Sequence, residues 1–88
     1  MKYIIEYDRT ADALYVRSKA FNPDVRVDHT DEFGDLRNVD YDERGVVIGV
    51  EFLQVSGGID LSGIPDARQI HREVERAKLG INVAAPAR

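Results

Sequence analysis

The sequence predicts an α+β protein: an antiparallel β-meander of about five strands followed by one C-terminal α-helix. Up to Gln54, apolar and polar residues alternate in short runs, which is the two-residue period of half-buried strands. After Ser56-Gly57-Gly58 the apolar period changes to that of an amphipathic helix. With 88 residues, of which 43% are hydrophobic, we expect a single domain over residues 1–88 with one core.

The strands are separated by residues that favour turns. Asp8 begins the first turn, and Pro23 breaks the connection that follows the second strand, because proline lacks a ladder donor. Asp42-Glu43-Arg44-Gly45 is the clearest hairpin turn, since Gly45 readily adopts a positive φ. The predicted strands, in meander order within a β region over 1–55, are Tyr3–Tyr7, Ala13–Arg17, Val25–Thr30, Leu36–Tyr41 and Val46–Gln54.

The remainder of the chain is predicted as a linker over 56–65, a helix over 66–79 and a tail over 80–88. Asp66 and Gln69 fit a capping box at the helix start, and Gly80 fits a left-handed stop after Leu79. The helix pattern rests on apolar residues spaced by three and four: Ala67, Ile70, Val74, Ala77 and Ile81.

The relative sizes of the sheet and the helix predict a homodimer. Five strands span roughly 24 Å, whereas one helix is about 10 Å wide, so one helix leaves apolar sheet uncovered. A second copy of the chain is the simplest cover. One face is expected to carry Tyr3, Ile5, Tyr7, Tyr15, Val25, Val27, Val39 and Tyr41, and the opposite face Ile4, Leu14, Val16 and Leu53.

Composition excludes several function classes. A formal net charge of −4 disfavours binding to nucleic acid or to an anionic membrane through the whole-protein field. The absence of cysteine removes disulfides, thiolate metal sites and cysteine nucleophiles. The first residues lack the apolar run of a signal peptide or a membrane span, so we expect a soluble, cytoplasmic protein. No motif for a cofactor is present, and none is expected.

Acidic residues and one histidine are the first candidate site: Asp40, Asp42, Glu51 and His29. Asp40 to Glu51 partly matches a calcium-binding loop, but Arg44 occupies the fifth position, where an oxygen ligand is needed, and flanking helices are missing. A hairpin explains Asp42 and Gly45 better. His29, beside Asp28 and Asp31, lacks a partner nucleophile in any recognisable motif.

Arg68, Arg72 and Arg76 are the second candidate site. Their spacing of four places them in a column on one helix face, where they can contact phosphates or an acidic partner. Glu73 and Glu75 dilute the positive charge, and no aromatic residue is interleaved for base stacking. An ordinary solvated helix face is therefore the favoured interpretation.

Two segments together resemble the small bacterial proteins called domain of unknown function 2283. The first is Tyr7-Asp8 followed by Ala11-Asp12-Ala13-Leu14-Tyr15-Val16. The second is Val39-Asp40-Tyr41-Asp42 followed by Gly45, Val47 and Gly49-Val50-Glu51-Phe52-Leu53. The resemblance covers about residues 3–54 and implies a compact β-rich fold with no established activity, cofactor or catalytic residue. It also suggests a small toxin-like protein as a partner.

We therefore expect a non-catalytic, dimeric protein-interaction module without catalytic or metal-binding residues. One alternative is a small hydrolase or metal-dependent enzyme with an acidic site at a dimer seam, built from Asp40, Asp42, Glu51 or His29. The other is nucleic-acid binding through the helix arginines. The sequence leaves the substrate, the partner and the dimer geometry open.

Overall fold

A computed structural model describes residues 2–84, which form two β-sheets and one α-helix. The larger sheet contains five strands: β1 (Tyr3–Asp8), β2 (Ala13–Ser18), β3 (His29–Glu32), β4 (Arg37–Tyr41) and β5 (Val47–Leu53). They are followed by a 3-10 turn (Val55–Gly57), β6 (Ile59–Asp60), the helix α1 (Ala67–Ala77) and β7 (Val83–Ala84). The α+β class, with a five-stranded antiparallel sheet and one helix after it, is confirmed.

The order of strands in the large sheet is β1-β2-β5-β4-β3, which departs from a simple meander at one place. β2 pairs with β5 instead of with β3, and every neighbouring pair is antiparallel. β5 is the most apolar strand of the sheet, so its place beside β2 buries it more completely than an edge position would. β1 and β3 are the two edges.

One face of the sheet carries most of the core. Cross-strand pairs Ile5–Val16 and Val16–Val50 place alternate residues of β1, β2 and β5 on the same side. Leu14 and Val16 thus lie on the face of Tyr3, not opposite it as expected, and the Tyr15 side chain, expected on the face of Tyr3, lies on the other face. A strand pattern fixes alternation within each strand, but pairing decides which residues share a face.

The segment 56–65, expected to be a linker, is part of the core. Ile59, Leu61 and Ile64 are each at most 5% exposed and pack in the same cluster as Phe52. The apolar residues of this segment are separated by turn residues and follow neither the period of a helix nor that of a long strand. Their burial was therefore not indicated by the sequence pattern. Together with α1, this segment covers the apolar face, so the described chain buries much of the surface that was expected to require a second copy.

The helix is shorter than predicted and its ends differ from those expected. Asp66 has a left-handed conformation with φ 57°, and its side chain makes no capping bond. Its carboxylate instead accepts hydrogen bonds from the Tyr3 hydroxyl at 2.6 Å and from Lys2 Nζ at 2.9 Å. At the other end the cap residue is Lys78, which is left-handed with φ 53° and whose N–H donates to Glu75 O; Gly80, two residues further on, is left-handed as well, with φ 75°. Contacts with β1 therefore position the helix start.

The connection between β2 and β3 is longer than predicted, because β3 begins at His29 rather than at Val25. The predicted tail is ordered at its start, where β7 pairs in parallel with β6. Residues 85–88, the rest of that tail, lie outside the described residues.

Candidate functional site

The sheet face opposite the core carries a band of hydrogen-bonded polar side chains. Cross-strand neighbours in this band include Glu6, Tyr15, Glu51 and Asn38 in one row, as the pairing of β1, β2, β5 and β4 shows. Asn38 Nδ2 donates to Glu51 Oε1 at 3.1 Å. We call this surface the polar face.

Asp40 is the centre of the polar face. The Tyr15 hydroxyl donates to Asp40 Oδ2 at 2.9 Å, and the Thr30 hydroxyl donates to Oδ1 at 2.6 Å. Burial, followed by the hydrogen bond to Asp40, raises the pKa of Tyr15 well above its ordinary value. The phenol therefore stays protonated and acts as a donor, while both oxygens of Asp40 are engaged in holding β2, β3 and β4 together.

The Tyr15 ring lies directly over Gly49 on the neighbouring strand. A Cβ atom at Gly49 would stand 2.6 Å from the ring Cζ and from the hydroxyl oxygen. Only glycine leaves room for the ring in the position from which its hydroxyl reaches Asp40. This contact joins the two segments on which the family resemblance rests, since Tyr15 belongs to the first and Gly49 to the second.

Arg17 is a buried cation beside this network, with a side chain that is 9% exposed. Its Nη1 donates to Phe21 O at 2.6 Å and its Nη2 lies 3.2 Å from Glu6 Oε2. Its Nε has no hydrogen-bond acceptor among the residues that the structure describes. The guanidinium therefore attaches the β2–β3 connection to the sheet.

Asp42 stabilises the β4–β5 hairpin. Its Oδ1 accepts hydrogen bonds from the backbone N–H groups of Arg44 and Val46, both at 2.9 Å. Gly45 has a positive φ of 79° and its N–H donates to Asp42 O at 3.0 Å, as a hairpin turn requires. These bonds, of which the Val46 N–H contributes most, lower the pKa of Asp42 below its ordinary value.

We expect Asp42 to make the protein's stability depend on pH in the acid range. A carboxyl with a folded-state pKa below its unfolded value, about 3.9, contributes stability that is present above that value and is lost as the pH falls through the folded pKa. The loss in free energy of unfolding between pH 5 and pH 2 should be smaller in Asp42→Asn than in the parent, as measured by urea titration. An equal loss in both proteins would contradict this role.

The sequence-predicted acidic candidates do not form one site. Asp40 and Glu51 share the polar face, whereas Asp42 lies in the turn beyond it. His29 pairs with Tyr41 across the β3–β4 ladder and its ring stacks on the Tyr41 ring at 4.8 Å, which places it on the other face. Among residues 2–84, no group of three or more metal-ligating side chains comes together.

The helix arginines all lie on exposed positions of α1. Arg76 Nη1 is 4.0 Å from Glu73 Oε1, and Glu75 on the same helix pairs with His71 at 3.4 Å. Alternating charges along this surface resemble an ordinary solvated helix face. The helix of the described chain is too short and too polar to cross a bilayer.

Two polar residues that sequence reasoning missed have specific structural contacts. Asp12, left-handed with φ 54°, accepts hydrogen bonds from Ser56 N at 2.9 Å and from Ser56 Oγ at 2.6 Å, which attaches the β1–β2 turn to the 3-10 turn. Glu73 has a side chain only 1% exposed. Its position on the apolar stripe of the helix, next to Val74, was the feature of the sequence that could have indicated its burial.

These features define a small α+β protein whose sheet has one face covered by its own chain and one face crossed by interlocked polar side chains. The family model described as protein of unknown function (DUF2283) matches residues 4–56, more than half of the chain. The chain therefore belongs to that family, as the two sequence segments predicted. No curated protein and no solved structure matches it.

The family match ends at the 3-10 turn, so it covers the five-stranded sheet and excludes β6, α1 and β7. The matched range therefore contains both Tyr15 and Gly49. The elements that cover the apolar face lie outside the match.

Proposed function

We propose that the protein is a non-catalytic protein-interaction module that acts as a homodimer. The observation that carries the proposal is the outer edge of β1, which pairs with β2 on one side only and bears the half-buried apolar side chains Ile4 and Ile5. An edge strand of this composition is a template for pairing with another chain.

The arrangement of polar groups supports a non-catalytic role. Each oxygen of Asp40 accepts from one hydroxyl donor, whereas Asp42 accepts from two backbone donors at Oδ1 and pairs with Arg44 Nη2 at 3.5 Å through Oδ2. A general base needs a free lone pair directed at a substrate proton, and a metal site needs several converging oxygens or imidazoles. The hydrolase and nucleic-acid alternatives have less support, since neither the acidic residues nor the helix arginines form a concentrated site.

Native mass spectrometry and light scattering test the proposal. At about 100 μM, where mass action favours association, we expect a species of twice the 9.9 kDa chain mass. Dilution should shift the population to monomer. A monomer across the whole concentration range would contradict the dimeric function.

A further inference from the structure

A groove of about 430 Å³ lies between the edge strand β1 and the helix α1. Ile4 and Ile5 of β1 form one wall, and Glu73, Arg76 and Ala77 of α1 form the other; Tyr3 and Lys19 complete the lining. A groove between an edge strand and a helix is the shape that accepts an added β-strand.

The backbone of β1 offers hydrogen bonds to such a strand. Lys19 N donates to Lys2 O, and the antiparallel register continues as Ile4–Arg17 and Glu6–Tyr15. In an antiparallel ladder, the backbone N–H and C=O groups of alternate residues form hydrogen bonds with the neighbouring strand. The backbone groups of the residues between them are directed to the opposite side. Tyr3, Ile5 and Tyr7 therefore direct their amide and carbonyl groups to the open side.

The opposite edge of the sheet is protected by charge. β3 has the sequence His-Thr-Asp-Glu, and all four of its residues are exposed. Carboxylates of Asp28, Asp31 and Glu32 would face those of a second copy and repel them. β1 also carries two acids, Glu6 and Asp8, but the basic residues Lys2 and Arg9 flank it, so it is the edge on which a second copy is tolerated.

The carboxylate of Glu73, which lines the groove, has one oxygen without a hydrogen-bond donor within the described part of one chain. Its Oε2 accepts hydrogen bonds from Gln69 Nε2 at 3.1 Å and from Lys2 N at 3.3 Å, but no group of residues 2–84 donates a hydrogen bond to its buried Oε1. A buried carboxylate oxygen without a donor is costly. Arg76 Nη1, the cation that pairs with Glu73 Oε1 within the described part of the chain, is 4.0 Å away, beyond hydrogen-bond distance.

We infer that two copies pair their β1 strands antiparallel about Ile5 and that Arg9 of the partner subunit supplies a donor to each Glu73. This inference rests on the proposed dimeric function and specifies its geometry. The product is a continuous ten-stranded sheet, twice the five strands of one chain, with both helices on one face. Each groove is filled by the partner's strand.

Centring the pair on Ile5 pairs all three residues whose backbone groups face the open side and gives complementary charges. Tyr3 lies opposite Tyr7 of the partner subunit, and Lys2 lies opposite Asp8 of the partner subunit, at both ends by symmetry. Arg9 directly follows β1, and its guanidinium lies 5.8 Å over the Tyr7 ring, on the face that also carries α1. When the strands pair in this register, Arg9 of the partner subunit therefore lies at the end of the groove that contains Glu73.

A proline substitution at the edge tests the strand pairing. In Ile5→Pro the lost N–H points away from β2, so the ladder with β2 is retained, but a second copy can no longer pair there. Glu32→Pro is the matched control on the β3 edge, because the bond from Phe33 N to Arg37 O places the Glu32 N–H on the open side of that strand. We expect Ile5→Pro to be monomeric and Glu32→Pro to remain dimeric by light scattering.

A charge reversal tests the contribution of Arg9 without altering a strand. Arg9→Glu should raise the dimer dissociation constant at least about tenfold, because it leaves Glu73 unpaired and adds a repelling charge. Arg44→Glu makes the same change of charge at a turn position whose side chain is 76% exposed, and should change the constant less than about threefold. Far-ultraviolet circular dichroism confirms that each variant is folded.

The outcomes separate this geometry from the proposed function. If the parent protein is a dimer and Ile5→Pro is a dimer too, the β1 pairing is overturned and the dimer forms through another surface. If Ile5→Pro does not fold, a dimer of unchanged affinity in Arg9→Glu overturns the β1 pairing in the same way. Equal effects of Arg9→Glu and Arg44→Glu would overturn the role of Arg9. A monomeric parent protein would contradict both the geometry and the dimeric function.

Discussion

Replacing Leu61 by alanine is expected to lower the free energy of unfolding by about 2–5 kcal/mol, the range for truncating a fully buried leucine. Leu61 is 0% exposed and lies in the core cluster with Phe52 and Ile70. The loss combines the transfer free energy of the removed methyl groups with the cavity that they leave. Because a domain of this size is only marginally stable, the variant should show a much lower urea midpoint.

Leu36→Ala is the matched control, since Leu36 is 41% exposed. Surface substitutions usually change stability by less than about 0.5 kcal/mol. The two variants differ only in where the same side chain is removed. If Leu61→Ala were as mild as Leu36→Ala, the segment 56–65 would be a linker after all and the core described above would be wrong.

Gly49→Ala is expected to destabilise the protein by about 1–3 kcal/mol, as inserted atoms do at a close-packed position. The new methyl group would overlap the Tyr15 ring, which stands 2.6 Å from the Cβ position. The ring must move, and the hydrogen bond from its hydroxyl to Asp40 is then lost. Urea unfolding followed by Tyr fluorescence measures both the stability and the change around the ring.

Gly57→Ala is the control for this prediction. Nothing lies within 4 Å of a Cβ atom at Gly57, and its φ is not positive. Alanine there should be neutral or should stabilise by up to about 1 kcal/mol, because it reduces the freedom of the unfolded chain. A destabilisation shared by both variants would show that the Tyr15–Gly49 contact is not the cause.

Most strands and the hairpin turn could be predicted from the sequence because each depends on residues that are adjacent in the chain. Alternating residues located β1, β2, β4 and β5 to within two residues at each end. The Asp42–Gly45 turn was recognised from four adjacent residues, and the structure confirms the hairpin. β3 was misplaced, since Val25 and Val27 alternate with polar residues as a strand would but lie in the connection.

The candidate site was less accessible because it depends on contacts between distant residues. Asp40 and Glu51 were singled out, but their donors Tyr15, Thr30 and Asn38 come from other strands. The Asp12–Ser56 pair spans 44 residues of sequence. Helix periodicity places Glu73 on the apolar stripe, but it sorts residues into faces without showing what each face contacts.

The sequence by itself determined the class of fold, the period of each element and the family, because these follow from backbone preferences and from the spacing of apolar residues. Tertiary structure alone decided that β2 pairs with β5, that the segment 56–65 completes the core, and that Glu73 is buried. The physical reason is that strand pairing and burial minimise the free energy of the whole chain, and residues far apart in sequence contribute to them together.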